Sequence, residues 1–314
     1  MSFGAREFGD QFRGQRVLVT GATGFIGRHL CEALASLGGM VTGLSRSAGP
    51  SNISQGVIPL AADLRQYGNA YRVLGQVHPD VIFHLAGHVT AQRDRELVIP
   101  MLETNAAGTV HLLMAASKVG CARFVIVSSA EVCGPGAIPG SPYAASKLVA
   151  EIYGQMFYQL YGLPVVCLRP YLTYGPGQQP TKLIPHTILS LLRGENPYVT
   201  SSDRTCDVIY VEDVVRGFLK AAVTPDVIVG ERIDLGTGVG ITIREVVQKV
   251  AKLIDSPGCP IFGAAPDRPN EGNIVADFAR TQSILAWSPS WSLDDGLQET
   301  VAWYRESARS GGRP

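Results

Sequence analysis

Residues 16–38, RVLVTGATGFIGRHLCEALASLG, decide how the chain begins to fold. RVLVT is an apolar β-rich run, and the segment that starts at Phe25 has a helical pattern that ends at glycine. Between them, GATGFIG places glycines at positions 21, 24 and 27. Glycines permit a tight turn and close approach of the backbone to a pyrophosphate, and the helix start offers free N–H groups. The stretch therefore predicts a strand, a loop and a helix that bind a dinucleotide.

The same alternation of strand and helix continues as far as residue 129. Further strand patterns are MVTGL (40–44), VIPLA (57–61), DVIFHLA (80–86) and RFVIVSS (123–129). A long helical pattern at 104–119 precedes the last of them. Strands that are apolar throughout and are separated by helices indicate a parallel sheet covered on both faces. We therefore expect an α/β fold with a doubly wound parallel sheet.

The rhythm changes after PVVCLRP (164–170), where Pro and Gly become frequent. Helical patterns remain at 181–193, 212–223, 242–254 and 293–308. We expect residues 1–175 to form a dinucleotide-binding domain and residues 176–314 to form mainly a smaller α/β substrate lobe. Some C-terminal segments, for example around 205–235, are expected to re-enter the first domain.

Composition narrows the class of protein. The chain has 314 residues and is 46% hydrophobic, enough for a large core, and its 27 basic and 27 acidic residues cancel. No basic stripe favours nucleic acid, and no apolar run approaches the roughly 18 residues that a membrane span needs. The charged N-terminus does not resemble a signal peptide. Six scattered cysteines without a CxxC pair favour buried reduced thiols over a metal site. A cytoplasmic protein is expected, with no metal, membrane or nucleic-acid partner.

The second strand bears on the choice of dinucleotide. NAD enzymes of this architecture usually place an acidic residue about 20 positions after the glycines, where it bonds the ribose 2′-OH. Between Glu32 and Asp63 this chain has no Asp or Glu, and the strand ends in Ser45-Arg46. An arginine and a hydroxyl suit a 2′-phosphate. NADP(H) is therefore favoured and NAD(H) remains possible; the alternative is that Arg46 is an ordinary surface arginine.

A second cluster of reactive side chains lies in SSAEVCGPGAIPGSPYAASK (128–147). Ser141-Pro142 is a good helix start, with a capping hydroxyl followed by proline. Tyr143 and Lys147 then lie four residues apart on one helix face. We expect the lysine ammonium to lower the pKa of the tyrosine towards neutrality, so that the phenol can exchange protons. Ser129, at a strand end, is placed to hydrogen-bond a reacting oxygen.

Together these motifs resemble a known family. GATGFIG, HLAG (84–87), SSAEVCG (128–134), YAASK (143–147) and DVIYVEDVV (207–215) are similar to the extended short-chain dehydrogenase/reductase family, in its nucleotide-sugar epimerase, dehydratase and reductase branch. The resemblance implies a Rossmann domain, a sugar-nucleotide lobe, Tyr143 as acid/base with Lys147 and Ser129, and a homodimer paired through a four-helix bundle. The cofactor-binding residues expected from the motifs and the resemblance are Gly21, Thr23, Gly24, Phe25, Ile26, Gly27, Ser45, Arg46, Asp63, Leu64, Leu85, Ala86, Gly87, Tyr143, Lys147 and Pro170.

The resemblance leaves the reaction open. Members move hydride at C4 of the sugar while the tyrosine handles the O4 proton. A 4,6-dehydratase also needs an acidic residue, often an Asp-Glu pair, just after the serine; here Ala130-Glu131 retains only the glutamate. The leading expectation is NADPH-dependent reduction of an NDP-4-keto-6-deoxyhexose at C4. The alternatives are a 4,6-dehydratase using Glu131, a 4-epimerase with tightly bound NAD, and a non-enzymatic dinucleotide-sensing regulatory protein.

The substrate side departs from the family pattern. Leu172 stands where the family usually has Asn, and Cys206 stands where it usually has Arg. Arg268 fits the second phosphate-binding arginine, and Arg204 is a candidate to replace the one that is lost. His84 is interpreted as a core residue, whereas His88 could face the substrate. The residues expected to bind a nucleotide-diphosphate sugar are His88, Ser129, Leu172, Arg204 and Arg268.

Overall fold

The computed structural model describes residues 5–90, 92–133, 138–200, 203–225, 228–264 and 272–310. Its main layer is a seven-stranded parallel sheet in the order β10-β6-β5-β4-β1-β2-β3. The α/β fold predicted from the alternating pattern is confirmed. The strands are β1 (Arg16–Thr20), β2 (Met40–Ser45), β3 (Ile58–Ala61), β4 (Val81–His84), β5 (Arg123–Val127), β6 (Val165–Pro170), β7 (Leu172–Tyr174), β8 (Tyr198–Val199), β9 (Thr205–Tyr210), β10 (Arg232–Leu235), β11 (Gly240–Thr242) and β12 (Ile261–Phe262).

Helices cover both faces of this sheet because its strands are apolar on both sides. Val17 and Val19 of β1 pack with the core that contains Leu30 and Phe218, whereas Leu18 packs with the opposite core that contains Leu112. The alternation follows from the two-residue period of a strand. The helices are α1 (Ala5–Phe8), α2 (Phe25–Ser36), α3 (Tyr67–Val77), α4 (Val98–Met101), α5 (Gly108–Val119), α6 (Pro142–Tyr161), α7 (Leu183–Leu192), α8 (Val211–Val223), α9 (Ile243–Leu253), α10 (Phe278–Leu285) and α11 (Leu293–Arg309).

A second, smaller layer is built from C-terminal segments. β9 pairs in parallel with β7 and antiparallel with β11, and β12 pairs with β8. Helices α7, α9 and α11 enclose a separate core that includes Ile188, Val246 and Val301. β10 returns to the edge of the large sheet, where it pairs with β6. The domain boundary at residue 175 stays a prediction, although β7 already belongs to the smaller sheet.

The helical run of residues 95–119 is longer than the predicted 104–119. By length and composition alone it is apolar enough to cross a membrane, so the expectation that no segment meets that criterion is wrong here. Its Leu112 and Leu113 are fully buried against the sheet, with Ile82 and Phe124 in the same core. The α5 part of the run therefore packs in the core of the domain. The cytoplasmic location stays a prediction.

Candidate functional site

The glycine loop between β1 and α2 packs closely against the start of α2 and against the loop that follows β4. Gly21 has φ of 73° and donates its N–H to Leu44 O at 2.7 Å. A Cβ added at Gly27 would lie 2.2 Å from Gly21 O, and one added at Gly21 would lie 2.8 Å from the amide nitrogen of Ala86. Positive φ is readily adopted only by glycine. Packing therefore requires glycine at both positions, independently of any ligand.

The first turn of α2 points its amides towards this loop. The helix begins at Phe25 after Gly24, which has no side chain to cap the free N–H groups. Such a helix start, with its positive dipole end, is suited to a phosphate. Thr23 and Ile26 beside it are half-buried. The residues present therefore fit the pyrophosphate of a dinucleotide.

The residues expected to contact the adenosine of the dinucleotide lie at the ends of β2 and β3. Among the described residues, the buried Ser45 Oγ has no hydrogen-bond partner, and the next residue, Arg46, is exposed. Asp63 pairs with Arg65 at 2.6 Å, and this bond, helped by the charge of Arg46, lowers the pKa of the Asp63 carboxyl. The adjacent Leu64 is buried. The exposed guanidinium of Arg46 is therefore available to a ribose or its phosphate, whereas the Ser45 hydroxyl is enclosed by the protein.

The loop after β4 forms the floor of the groove. Ala86 donates its N–H to Thr20 Oγ1 at 3.0 Å, and Leu85 donates its N–H to Thr20 O at 3.2 Å. A Cβ added at Gly87 would lie 3.4 Å from Lys147 Nζ, so the backbone here faces the catalytic helix. His88, which follows, is exposed. The residues of this loop that are expected to contact the dinucleotide and the substrate therefore lie next to one another, on the side of α6 that carries Lys147.

His84 lies in the core, in agreement with its interpretation from the sequence. Its Nδ1 bonds Thr20 Oγ1 at 2.7 Å, and its Nε2 bonds Thr109 Oγ1 at 2.9 Å. Burial first, and then the charge of Lys147, lower its pKa to about 3. A neutral ring with both nitrogens satisfied is a structural link between β1, β4 and α5.

Asn105 is a site residue that the sequence analysis missed. Its Oδ1 accepts the N–H of His88 at 2.6 Å, and its Nδ2 donates to His88 O at 3.1 Å and to Ser146 Oγ at 2.9 Å. Ser146 in turn donates to Tyr143 O at 2.8 Å. Asn105 lies in a π-helical turn at Leu102–Ala107, a distortion that often marks functional sites. The available signal was an Asn inside an apolar helical pattern.

Helix α6 presents the tyrosine and the lysine as predicted from their spacing. Ser141 caps the helix by accepting the N–H of Ala144 at 3.0 Å, and Pro142 is its first residue. Tyr143 and Lys147 are both buried. The hydroxyl of Ser129, which follows β5, lies near enough to the Tyr143 phenol to favour its ionised form. Lys147 Nζ donates to Val127 O at 2.8 Å and lies 6.0 Å from the centre of the Tyr143 ring.

The protonation of this cluster differs from the expectation. Burial raises the pKa of Tyr143, the negative charge of Glu131 raises it further, and only the hydrogen bond from Ser129 opposes them. The expected lowering by Lys147 is therefore wrong, because burial disfavours the phenolate more strongly than the described neighbours stabilise it. Burial also lowers the pKa of Lys147, to about 8, while the charge of Glu151 raises it. The tyrosine thus holds its proton at neutral pH.

Glu131 is turned towards this cluster. It lies in a short 3₁₀ turn, Ala130–Cys133, that begins two residues after Ser128. Its N–H donates to Ser129 Oγ at 3.2 Å, and its carboxylate accepts the Ser141 hydroxyl at 3.3 Å. The side chain is half-buried. A carboxylate therefore lies beside the Ser129–Tyr143 pair, held from both ends of the connection between β5 and α6.

The substrate-side positions are less polar than the family pattern. Leu172 opens β7 opposite Val208 and is 37% exposed. Cys206 is buried, and its thiol donates to Ile241 O at 3.5 Å. Arg204, two residues earlier, is half-buried, and Pro170 closes β6 as a buried residue. Arg268 and residues 134–137 of the connector before α6 lie outside the described residues.

Among the residues that the structure describes, no group of three or more His, Cys, Asp or Glu side chains could hold a metal ion. Cys31, Cys167 and Cys206 are buried, and burial raises the pKa of the first to about 12. Cys259 is exposed, so the expectation of buried thiols is wrong for that residue.

Comparison with known proteins gives a consistent group of relatives. The NAD dependent epimerase/dehydratase family matches residues 17–236. The chain is 32% identical to a UDP-glucose 4-epimerase of Mycolicibacterium smegmatis, covering 94% of this chain and 100% of that one. It is 31% identical to a dTDP-glucose 4,6-dehydratase of Streptomyces niveus, covering 93% of each. A Bacillus cereus UDP-glucuronic acid 4-epimerase, solved with UDP-glucuronic acid and NAD, superposes with a TM-score of 0.83 at 26% identity, covering 92% and 99% of the two chains.

Proposed function

Because the chain belongs to the NAD dependent epimerase/dehydratase family, we propose that it converts a nucleoside-diphosphate hexose into its 4-keto-6-deoxy derivative. Membership of this family makes the protein an enzyme of the extended short-chain dehydrogenase/reductase group, which modifies nucleotide sugars with an NAD(P) dinucleotide. The observation that carries the choice of reaction is the carboxylate of Glu131 beside Ser129 and Tyr143.

The dinucleotide would be held by the glycine loop, the start of α2, and the loop after β4. When bound, it would take hydride from C4 of the sugar and return it to C6, so that the overall reaction is a redox-neutral loss of water. Arg46 favours NADP over NAD, because its guanidinium is exposed at the end of β2, next to the Ser45 hydroxyl.

Tyr143, Lys147 and Ser129 act at the oxygen on C4. We assign to the Ser129 hydroxyl, which favours the ionised form of Tyr143, the role of orienting that oxygen. Oxidation at C4 releases the O4 proton, and Tyr143 takes it as a phenolate. Its own proton must first leave to solvent, which the positive charge of Lys147 and of a bound oxidised dinucleotide would favour. Lys147, anchored on Val127 O, places a positive charge in the same buried space, where it favours the phenolate once the proton has moved.

Dehydration also needs proton transfers at C5 and O6, and we assign these transfers to Glu131. Loss of water across C5 and C6 requires a base for the C5 proton, and a carboxylate next to the acid/base tyrosine is suited to that step. The family's usual aspartate is replaced by Ala130, so we assign both proton transfers to Glu131, which takes the C5 proton and passes it to the O6 hydroxyl as that group leaves as water. The proton that C5 regains when hydride returns to C6 would then come from solvent through Glu131.

The test is to incubate the protein with dTDP-glucose, UDP-glucose and GDP-mannose and follow the sugar by NMR. We expect a 4-keto-6-deoxy product, and Glu131→Gln should lower its formation by about 10²- to 10⁴-fold. Dinucleotide affinity should not change in this variant, which serves as its internal control. A C4 epimer without loss of water would instead assign the chain to the 4-epimerases, and full activity of the variant would reject the role of Glu131.

A second candidate, the 4-ketoreductase predicted from the sequence, is favoured by one observation. Burial keeps Tyr143 protonated, and a protonated phenol is ready to donate to a 4-keto oxygen. Stoichiometric NADPH consumption with an NDP-4-keto-6-deoxyhexose would support it. A protein that retains its dinucleotide through purification and consumes no NADPH would exclude it.

We also propose a homodimer paired through α6 and the helical run of residues 95–119. Apolar side chains are exposed on both: Val98, Ile99 and Leu102 on the run, and Ile152 and Leu160 on α6. Exposed apolar patches of this kind usually mark contact surfaces.

A further inference from the structure

The Ser141 hydroxyl joins the start of α6 to the turn that follows β5. It accepts the N–H of Ala144 at 3.0 Å, which caps the helix that carries Tyr143, and it donates to the Glu131 carboxylate at 3.3 Å. A serine hydroxyl has one proton, so accepting from Ala144 leaves that proton for the carboxylate. Ser141 is buried, and the protein therefore shields both bonds from water.

The backbone on either side of this hydroxyl is fixed. Before it, Arg93 Nε, from the loop after β4, donates to Gly140 O at 2.8 Å. After it, Pro142 restricts the backbone, and the N–H of Ala145 donates to Ser141 O at 3.0 Å in the first helical turn. The chain around Ser141 therefore holds its short side chain at a defined place.

The Glu131 side chain needs such an anchor. Its backbone N–H donates to Ser129 Oγ at 3.2 Å, and the residue lies in the 3₁₀ turn Ala130–Cys133. These contacts fix the backbone, whereas the carboxylate lies at the end of a flexible side chain that has several rotamers. The bond from Ser141 selects among those rotamers, because it binds one carboxylate oxygen to a fixed point.

We infer that Ser141 is a positioning residue that holds the Glu131 carboxylate beside Ser129 and Tyr143, where it can take the C5 proton. A hydroxyl that donates to a carboxylate also favours its charged form, which is the form that accepts a proton. This role rests on the proposed function in that Glu131 acts there as the base; the bond between Ser141 and Glu131 exists without substrate.

The first test detects this bond without substrate. Urea unfolding compares the parent protein with Ser141→Gly, Glu131→Ala and the double variant. Glycine is nearly as good a helix cap as serine, so Ser141→Gly removes the hydroxyl with little loss of the cap. If Ser141 holds Glu131, Ser141→Gly should lower the urea midpoint of the parent more than that of Glu131→Ala. Equal effects of Ser141→Gly in the two backgrounds would overturn the inference.

The second test separates two steps of the proposed reaction. The protein loaded with oxidised dinucleotide is mixed with dTDP-glucose, UDP-glucose or GDP-mannose, and the absorbance of the reduced nicotinamide is followed through one turnover. This absorbance rises when C4 loses hydride and falls when C6 gains it. Ser141→Gly should leave the rate of the rise unchanged and slow the fall by about 10- to 100-fold, the value of a hydrogen bond to a charged group.

Two further variants serve as controls. Ser141→Thr retains a hydroxyl that can cap and donate, so it should keep the parent rate of the fall. Ser292→Gly removes another capping serine, which accepts the N–H of Asp295 at 3.1 Å and donates to its carboxylate at 2.6 Å at the start of α11. It should alter neither rate.

Equal slowing of the rise and the fall in Ser141→Gly would show that Ser141 acts only as a cap of α6, and this result would overturn the inference. An unchanged fall would overturn it as well. Non-additive unfolding in a protein that converts none of the three sugars would retain Ser141 as the anchor of Glu131 and reject the proposed function.

Discussion

Lys147 holds its amine in a site where only 5% of the residue is exposed. Burial depresses its pKa from the ordinary value of 10.5 to about 8. Between those values the unfolded chain binds a proton that the folded protein does not, so this residue makes stability rise with pH. Below about pH 8 the folded state carries the full cost of the buried ammonium.

Replacing the lysine should therefore stabilise the fold. We expect Lys147→Met to unfold at higher denaturant concentration than the parent protein at pH 7, because a shift from 10.5 to about 8 corresponds to about 3 kcal/mol. The lost bond to Val127 O offsets about 1 kcal/mol of that gain. Urea unfolding from pH 6 to 11 checks this: the two proteins should converge as pH rises through 8 to 10.5, and a constant difference would contradict it.

Arg46 should decide the choice of dinucleotide. Its guanidinium is exposed at the end of β2, beside the unpartnered Ser45 hydroxyl. Arg46→Ala should weaken NADPH binding by about 10- to 100-fold, the value of a charge-assisted hydrogen bond, and leave NADH binding unchanged. Fluorescence titration measures the affinity for NADPH and the affinity for NADH. Arg72→Ala, on the surface of α3, is the control. Equal loss for the two dinucleotides would show that Arg46 does not read the 2′ position.

At the scale of elements, local pattern accounts for much of the site. Ser141-Pro142 and the four-residue spacing predict the start of α6 and the shared face of Tyr143 and Lys147, because both depend on neighbouring residues alone. Asn105 and Glu151 were not predictable, because their partners His88 and Arg169 reach them only through the tertiary fold. The direction of the Tyr143 pKa also depends on burial, which no spacing reveals.

The glycine loop gives a direct test of an element. Gly27→Ala would place a Cβ 2.2 Å from Gly21 O, so the loop must shift. We expect dinucleotide binding to fall by at least about tenfold, because the shift displaces the amides that hold the phosphates. Gly68→Ala, in α3, is the control: a Cβ there meets no described atom within 4 Å, and alanine should stabilise that helix by about 0.5–1 kcal/mol. Calorimetric titration and thermal unfolding compare the two, and unaltered affinity in Gly27→Ala would contradict this account of the loop.

At the scale of the whole molecule, α6 serves two surfaces. Its inner face carries Tyr143 and Lys147, and its outer face leaves Ile152 53% exposed and Leu160 66% exposed. A partner subunit on the outer face would therefore brace the helix that carries the acid/base tyrosine. Pairing and catalysis would then share one rigid element.

Charge on the outer face should separate the subunits. Ile152→Glu should turn a dimer into a monomer, because a carboxylate buried in an apolar contact is strongly disfavoured. Light scattering after gel filtration measures the mass. Met40→Glu, at another exposed apolar position on β2, should leave the mass unchanged. A parent protein that is already monomeric would reject the proposed pairing.

The segment before β1 has a practical consequence for anyone who shortens the chain. Phe8 and Phe12 are almost fully buried and belong to the same core as Leu30 and Phe218, and Arg216 bonds Glu7 at 3.0 Å. The family match begins only at residue 17. A protein shortened to begin at residue 17 would uncover the apolar side chains that pack against Phe8 and Phe12, and a protease that removed the same N-terminal residues would do the same. The expected outcome is aggregation of the truncated protein, even though every residue of the reactive centre is retained.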